Sequence, residues 1–254
     1  MGLFFHLFHV TLSSMLMKTK AIVLHAFKFG ENKLMVDVFT EQQGRISFAV
    51  RIVNSPKAKI KKQYFQPFSV LEIEYDYRQK TNIQTFNNVG IAYPFGSIPF
   101  EPLKLSICFF LAELTSYATH GEQENTHLFN YIVSSIEWLD RCDTGFSNFH
   151  LVYIVHLLRF LGFYPNLEDY EEGCCFDMRN GCFTSTLPSH HDFLSSQDAS
   201  LVATFSRMDY ANMHLFKMSR ADRNRFCDIV LTYYQLHIPK FPELKSLQVL
   251  KELY

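Results

Sequence analysis

At 254 residues, with 48% hydrophobic and 19% charged side chains, the chain has the composition of a folded protein, which excludes wholesale disorder, and room for one large or two modest domains. Aromatic residues make up 16%, with 26 Phe and 13 Tyr, and most of these must be core. The net charge of -1 names no partner, but it averages an asymmetry: residues 18–80 hold 12 Lys and Arg against 6 Asp and Glu, whereas the 174 residues after them hold 12 basic and 19 acidic groups, so the front half is the part suited to an anionic partner.

Residues 1–17, MGLFFHLFHVTLSSMLM, carry no charge. No basic region precedes the apolar run and no small-residue cleavage site follows it, so it does not read as an export signal, and it is short for a membrane span. Met17 opens MKTKAIVL as a natural start, and residues 1–16 are expected to be an upstream extension outside the fold.

From residue 18 the apolar pattern has a period of two. KTKAIVLHAF (18–27) and KLMVDVFT (33–40) read as strands on either side of a turn around Gly30. In GRISFAVRIV, Ile46, Phe48, Val50 and Ile52 face one way and Arg45, Ser47, Ala49 and Arg51 the other. SVLEIEYDY repeats the alternation with Leu71, Ile73, Tyr75 and Tyr77 on one side, and a turn at RQKT leads to a fifth strand near 82–89. Five short strands with one long excursion predict an OB-type β-barrel over 17–92, a closure that leaves no open sheet edge. The excursion, NSPKAKIKKQYFQP (54–67), places Lys57, Lys59, Lys61 and Lys62 beside Tyr64 and Phe65. A lysine run alone is commonly a solvated loop. Hung from a strand bearing Arg45 and Arg51, with aromatics adjacent, it has the make-up of a surface that tracks a nucleic-acid backbone.

YPFGSIPFEP (93–102), with three prolines and a glycine, reads as a linker, and beyond it the period becomes helical. Leu103, Ile107, Phe110, Leu111 and Leu114 mark one helical face; Leu128, Tyr131, Ile132, Ser135, Trp138 and Leu139 mark another. NFHLVYIVHLLRFLG (148–162) is apolar nearly all round and predicts a buried central helix ending at Gly162, on which His150 and His156 are core or interface residues. Ser219 and Asp222 resemble a capping box, and Leu244, Leu247, Leu250 and Leu253 fall in register on a last short helix. The expected class is therefore α+β: an N-terminal five-stranded barrel, then an α-helical domain over 103–254 with a small hairpin insertion near 170–193.

Chemistry is sparse. Cys108, Cys142, Cys174, Cys175, Cys182 and Cys227 lack a disulfide-like spacing and fit a reduced protein. Cys174, Cys175 and Cys182 could be read as zinc ligands, but adjacent cysteines grip an ion poorly and a second pair is missing, so no metal, no cofactor and no catalytic residue is assigned. The same stretch reads instead as a hairpin turning at Asn180-Gly181. Walker, G-x-S-x-G and G-x-G-x-x-G motifs are absent from the sequence.

Five stretches in order are similar to the RecO family: KTKAIVL (18–24), TEQQGRISFAVR (40–51), KAKIKKQYFQPFSVLEIE (57–74), LLRFLGFYPNL (157–167) and YYQLHIPKFPELKSLQVL (233–250). The resemblance runs from about residue 17 to 254. It implies an N-terminal OB domain, a helical C-terminal domain, and a non-enzymatic recombination mediator of the bacterial cytoplasm and nucleoid. Such a protein binds single- and double-stranded DNA, anneals complementary strands, and works with RecR to load RecA onto strands coated by single-strand-binding protein (SSB). The acidic tail of SSB is then the expected ligand of the helical domain. Two departures stand out. Ile52 occupies a position where many relatives have Gly, and Tyr170 falls near the first cysteine of the paired cysteines some relatives carry. Carried across by position, Lys20, Arg45, Arg51, Lys57, Lys59, Lys61 and Lys62 are the expected phosphate contacts, Tyr64 and Phe65 the stacking candidates. Lys217, Arg220, Arg223 and Arg225 form a basic cluster that could rim a site for the SSB tail. An OB module for RNA and a metal-dependent hydrolase built on the Cys174–Asp192 region are the readings from other classes.

Overall fold

Alternating side chains drive the first third of the chain into strands, because each strand then buries one face. The computed structural model describes residues 15–53, 55 and 59–253; Lys57 and residues 1–14 lie outside the described residues. Strands β1 (Met15–Lys28), β2 (Lys33–Thr40), β3 (Gly44–Arg51), β4 (Val70–Tyr77), β5 (Ile83–Gln84) and β6 (Phe86–Tyr93) form one sheet in the order β5-β3-β2-β1-β4-β6. Only Thr85 separates β5 from β6, so the chain itself ties the two sheet edges together and the sheet curls into an OB-type half-barrel. Met17, Ala21, Val23, Val36, Val38, Phe48, Leu71, Ile73 and Tyr75 fill its interior.

Two expectations change here. The fifth strand is two strands, because buried Gln84 turns its amide back onto the carbonyls of Arg78 (3.0 Å) and Thr81 (2.8 Å), redirecting β5 into parallel pairing with β3. Met15 and Leu16, expected outside the fold, are the first residues of β1 and stand opposite Tyr77 and Asp76.

Strand β1 serves two cores. Its inner side chains line the half-barrel, while Ile22 and Leu24, with Phe39 and Phe68, join the core of the helical part. Phe68 adopts φ 63°, a left-handed conformation uncommon for a bulky residue. Its amide donates to the Val23 carbonyl at 2.7 Å, and its fully buried ring packs 6.0 Å from that of Tyr153. The burial, roughly 1.5–3 kcal/mol for a Phe side chain, offsets a backbone cost of similar order.

The helical part consists of α1 (Pro102–Ala118), α2 (Thr126–Arg141), α3 (Phe149–Leu161), α4 (Ser196–Phe205), α5 (Arg220–His237) and α6 (Lys245–Leu253). Helix α3 is buried nearly all round and stops at Gly162, which takes φ 82°. Ser219 and Asp222 do form the capping box that starts α5. Leu103, expected on the inner face of α1, is 38% exposed instead. The insertion is a small sheet of β7 (Cys175–Asp177), β8 (Cys182–Thr184) and β9 (Phe193–Leu194).

The tip of the β2–β3 hairpin presses on the loop between α1 and α2. Gly44 takes φ +65°, and a Cβ there would sit 2.5 Å from the backbone carbon and oxygen of Gln123. Gly44→Ala should therefore combine left-handed strain with a backbone clash, lowering stability by about 2–3 kcal/mol. Urea unfolding tests this, and an unchanged midpoint would show that the contact yields freely.

Candidate nucleic-acid interface

The outer face of β1, β2 and β3 is fixed by register. Lys33 lies opposite Arg51; Phe27 opposite Met35, itself opposite Ala49; His25 opposite Asp37, itself opposite Ser47. Like charges directly across a ladder are destabilising, so the Lys33–Arg51 pair gains from an anion between them. Phe27 is 43% and Phe29 60% exposed, and the His25 ring stacks on Phe27 with centroids 5.3 Å apart. Strand β3 then leads into the basic excursion, where Lys59, Lys61 and Lys62 are all exposed. This end of the half-barrel thus offers exposed cations beside exposed rings, the combination that holds a phosphate backbone while bases stack.

The sequence-selected residues divide. Arg51 stands on this surface, Lys62 lines a cleft together with His25, and Lys59 and Lys61 are exposed on the excursion between them. Lys20 is exposed but stands opposite Glu72, next to the Lys18–Glu74 ion pair at 3.1 Å, so that corner is charge-balanced. Arg45 is turned toward the helices: its guanidinium pairs with Asp37 at 3.2 Å and donates to the Ser116 carbonyl of α1. It joins the two halves of the molecule. Phe65 is a core residue, 4% exposed and stacked with Phe86 at 5.9 Å, and so is unsuited to stacking a base from outside. Tyr64 is half-buried against the same core.

Phe27, Phe29 and Lys33 were not selected from sequence, and for the two rings on β1 and just after it the reason is definite. Strict alternation from Met17, Thr19, Ala21 and Val23 would turn residue 27 inward. A β-bulge between Val23 and His25 inserts one residue and flips the phase, so that Ala26 packs inward and Phe27 points out.

In the helical part the basic cluster is dispersed. Arg220 donates to the Lys251 carbonyl, Arg225 pairs with Asp198 at 2.8 Å, and Arg223 donates to the Met218 carbonyl at 2.8 Å. Lys217 is exposed and shares with Arg223 a depression of ≈ 470 Å³ that also reaches Asn148 and Phe216. In the insertion, Cys174 is buried, and Cys175 and Cys182 stand opposite Thr184 and Asp177, not opposite each other. Among the described residues no three His, Cys, Asp or Glu side chains converge as a metal site. Asp192, with no partner identifiable in sequence, holds the Arg179 guanidinium at 2.6 Å. Burial, helped by the Arg223 charge, pushes His150 down to about 3, which keeps this core histidine neutral.

Residues 15–95 match the family model described as "Recombination protein O N terminal", and residues 99–248 match "Recombination protein O C terminal". The chain is 49% identical over 240 residues to the DNA repair protein RecO of Phocaeicola vulgatus and 46% over 241 residues to that of Bacteroides fragilis. It is 34% identical over 242 residues to that of Flavobacterium psychrophilum, and each of these alignments covers 94% of this chain and 100% of the relative.

Proposed function

Since this chain belongs to the RecO family of DNA repair proteins, and so to DNA repair and recombination, we propose that it is a mediator that binds strands and brings complementary ones together without bond chemistry of its own. The observation that supports this best is the outer face of the half-barrel, where Lys33 and Arg51 stand opposite each other beside the exposed rings of Phe27 and Phe29, with Lys59, Lys61 and Lys62 exposed on the excursion that follows β3. Annealing needs no acid or base. Cations lower the repulsion between two phosphate backbones, releasing condensed counterions, and base pairing supplies the driving energy.

Cooperation with RecR, delivery of RecA to SSB-coated strands and engagement of the SSB tail complete this reading and rest on family membership. In the helical part, Lys217 beside Arg223 is the place best suited to receive acidic groups. A cytoplasmic, nucleoid-associated location follows from the same reading, and among the described residues no helix is long and apolar enough to cross a membrane.

The test is annealing of complementary oligonucleotides coated with SSB. The protein should accelerate pairing well above the spontaneous rate, in a salt-sensitive way. A protein that binds both strands yet leaves that rate unchanged would refute the mediator reading.

A further inference from the structure

We propose that the cleft between the half-barrel and the helices holds unstacked bases of a single DNA strand, so that α1 and α6 form part of the strand-binding site. This deepens the strand-binding reading above and presupposes it. The cleft encloses ≈ 680 Å³. That volume lies within the roughly 300–1,000 Å³ of pockets that take small ligands, room for a base or two but not for a paired duplex.

Three features identify the occupant. First, the cleft is continuous with the barrel's outer face: His25, whose ring stacks on exposed Phe27, lines it. Second, Phe109 and Tyr117 project into it from α1, eight residues and so about two turns apart, 43% and 42% exposed. Flat rings half-open to solvent within a cleft suit base faces. Third, the charge balance is positive where it is available. The carboxylate of Glu113 is taken up at the start of α6, accepting from the Lys245 amide at 3.1 Å and the Ser246 amide at 2.8 Å. Asp37 accepts from Arg45 at 3.2 Å and Ser47 at 2.5 Å. Lys62 and Lys245, both exposed, remain at the cleft with no carboxylate partner within ion-pair distance among the described residues, one from each half of the molecule, where each can meet a phosphate.

A duplex cannot offer its bases to such a cleft, so the site adds affinity for single strands alone. Changing Phe109→Leu and Tyr117→Leu together in the full chain removes both rings while keeping apolar bulk beside Phe241, which Tyr117 meets edge-on. Affinity for an oligodeoxythymidylate and for a duplex of equal length is read by fluorescence anisotropy, with melting of the variant as a control. Single-strand affinity should fall about tenfold or more while duplex affinity changes by less than about twofold. As a second variant, Lys245→Ala should reduce the salt slope for single strands by about 0.7 and leave that for duplex unchanged. Unchanged single-strand affinity in the double variant, or equal loss for both DNA forms in a variant that melts normally, would overturn the cleft site while leaving the outer-face reading standing. Failure of the wild-type chain to bind either DNA form would remove the strand-binding reading itself.

Discussion

Alanine at Lys33, Arg51, Lys59, Lys61 and Lys62 together should weaken single-strand binding by about a thousandfold at 0.1 M salt and flatten its salt dependence by about 3.5 in slope. The estimate rests on counterion release, in which each phosphate neutralised on a single strand contributes about 0.7 to the slope of log K against log salt. Register sets Lys33 opposite Arg51 beside the exposed rings, Lys59, Lys61 and Lys62 are exposed on the excursion after β3, and none of the five is paired to a carboxylate within ion-pair distance among the described residues. Their loss should therefore cost binding and not folding. Exposed substitutions of this kind move stability by about 0.5 kcal/mol, and separating Lys33 from Arg51 relieves a repulsion. Phosphate contacts carry no sequence information, so the loss should be the same for every base composition. Anisotropy titrations over a salt series measure both quantities. A variant that keeps the wild-type slope would move the strand to another face. A matched variant at Lys18 and Lys20 separates charge from position: these lysines face Glu72 and Glu74, so their removal should change the slope little.

That contrast shows how far the sequence carries the site. The inward set of β3 and β4, Phe48, Val50, Leu71, Ile73 and Tyr75, follows from alternation because nothing interrupts those strands' inner faces. The helices with a cap or a stop of their own, such as α5 at Ser219 and α3 at Gly162, are legible for the same local reason. What could not be read depends on a change of phase or on a distant partner. The bulge in β1 reverses which residues face out, and so hides Phe27. Arg45 looks like an exposed cation on its own strand, but its acceptor on Ser116 lies 71 residues away. Helix α4 has an apolar spacing of Ala199, Val202, Ala203 and Phe205 that is too short and weak to stand out beside the turn-rich stretch before it. The cleft is invisible in one dimension because its walls come from β1, α1 and α6.

The largest loss of stability is expected from a residue with no role in DNA contact. Asp140, near the end of α2, accepts backbone N–H bonds from Gly96 (2.8 Å), Ser97 (2.9 Å) and Ile98 (2.9 Å), and the Tyr93 hydroxyl lies at 3.3 Å. These donors belong to the segment joining β6 to α1, so one carboxylate clamps the connection between the two halves. Beneath it Lys104, fully buried, donates to the Ser97 hydroxyl at 2.6 Å and lies 3.6 Å from Glu101. Burial alone would raise the Asp140 carboxyl, but the Gly96, Ile98 and Ser97 donors outweigh it and hold it below the ordinary carboxylate range. Asp140→Ala leaves three amides without their acceptor and should cost about 3–5 kcal/mol. That would lower the melting temperature by about 6–20 °C in a chain of this size. Asp140→Asn keeps the shape but supplies one acceptor and turns an N–H₂ toward amides, for about 2–3 kcal/mol. The sign with pH follows from the depressed value. The stabilisation is complete above the unfolded carboxylate's pKa of about 3.9 and disappears as pH falls through the lower folded value. Wild type and Asp140→Asn should therefore differ most at neutral pH and converge in acid. Parallel pH courses would mean that the carboxylate's charge does not hold the joint, and that Asp140 acts by shape alone.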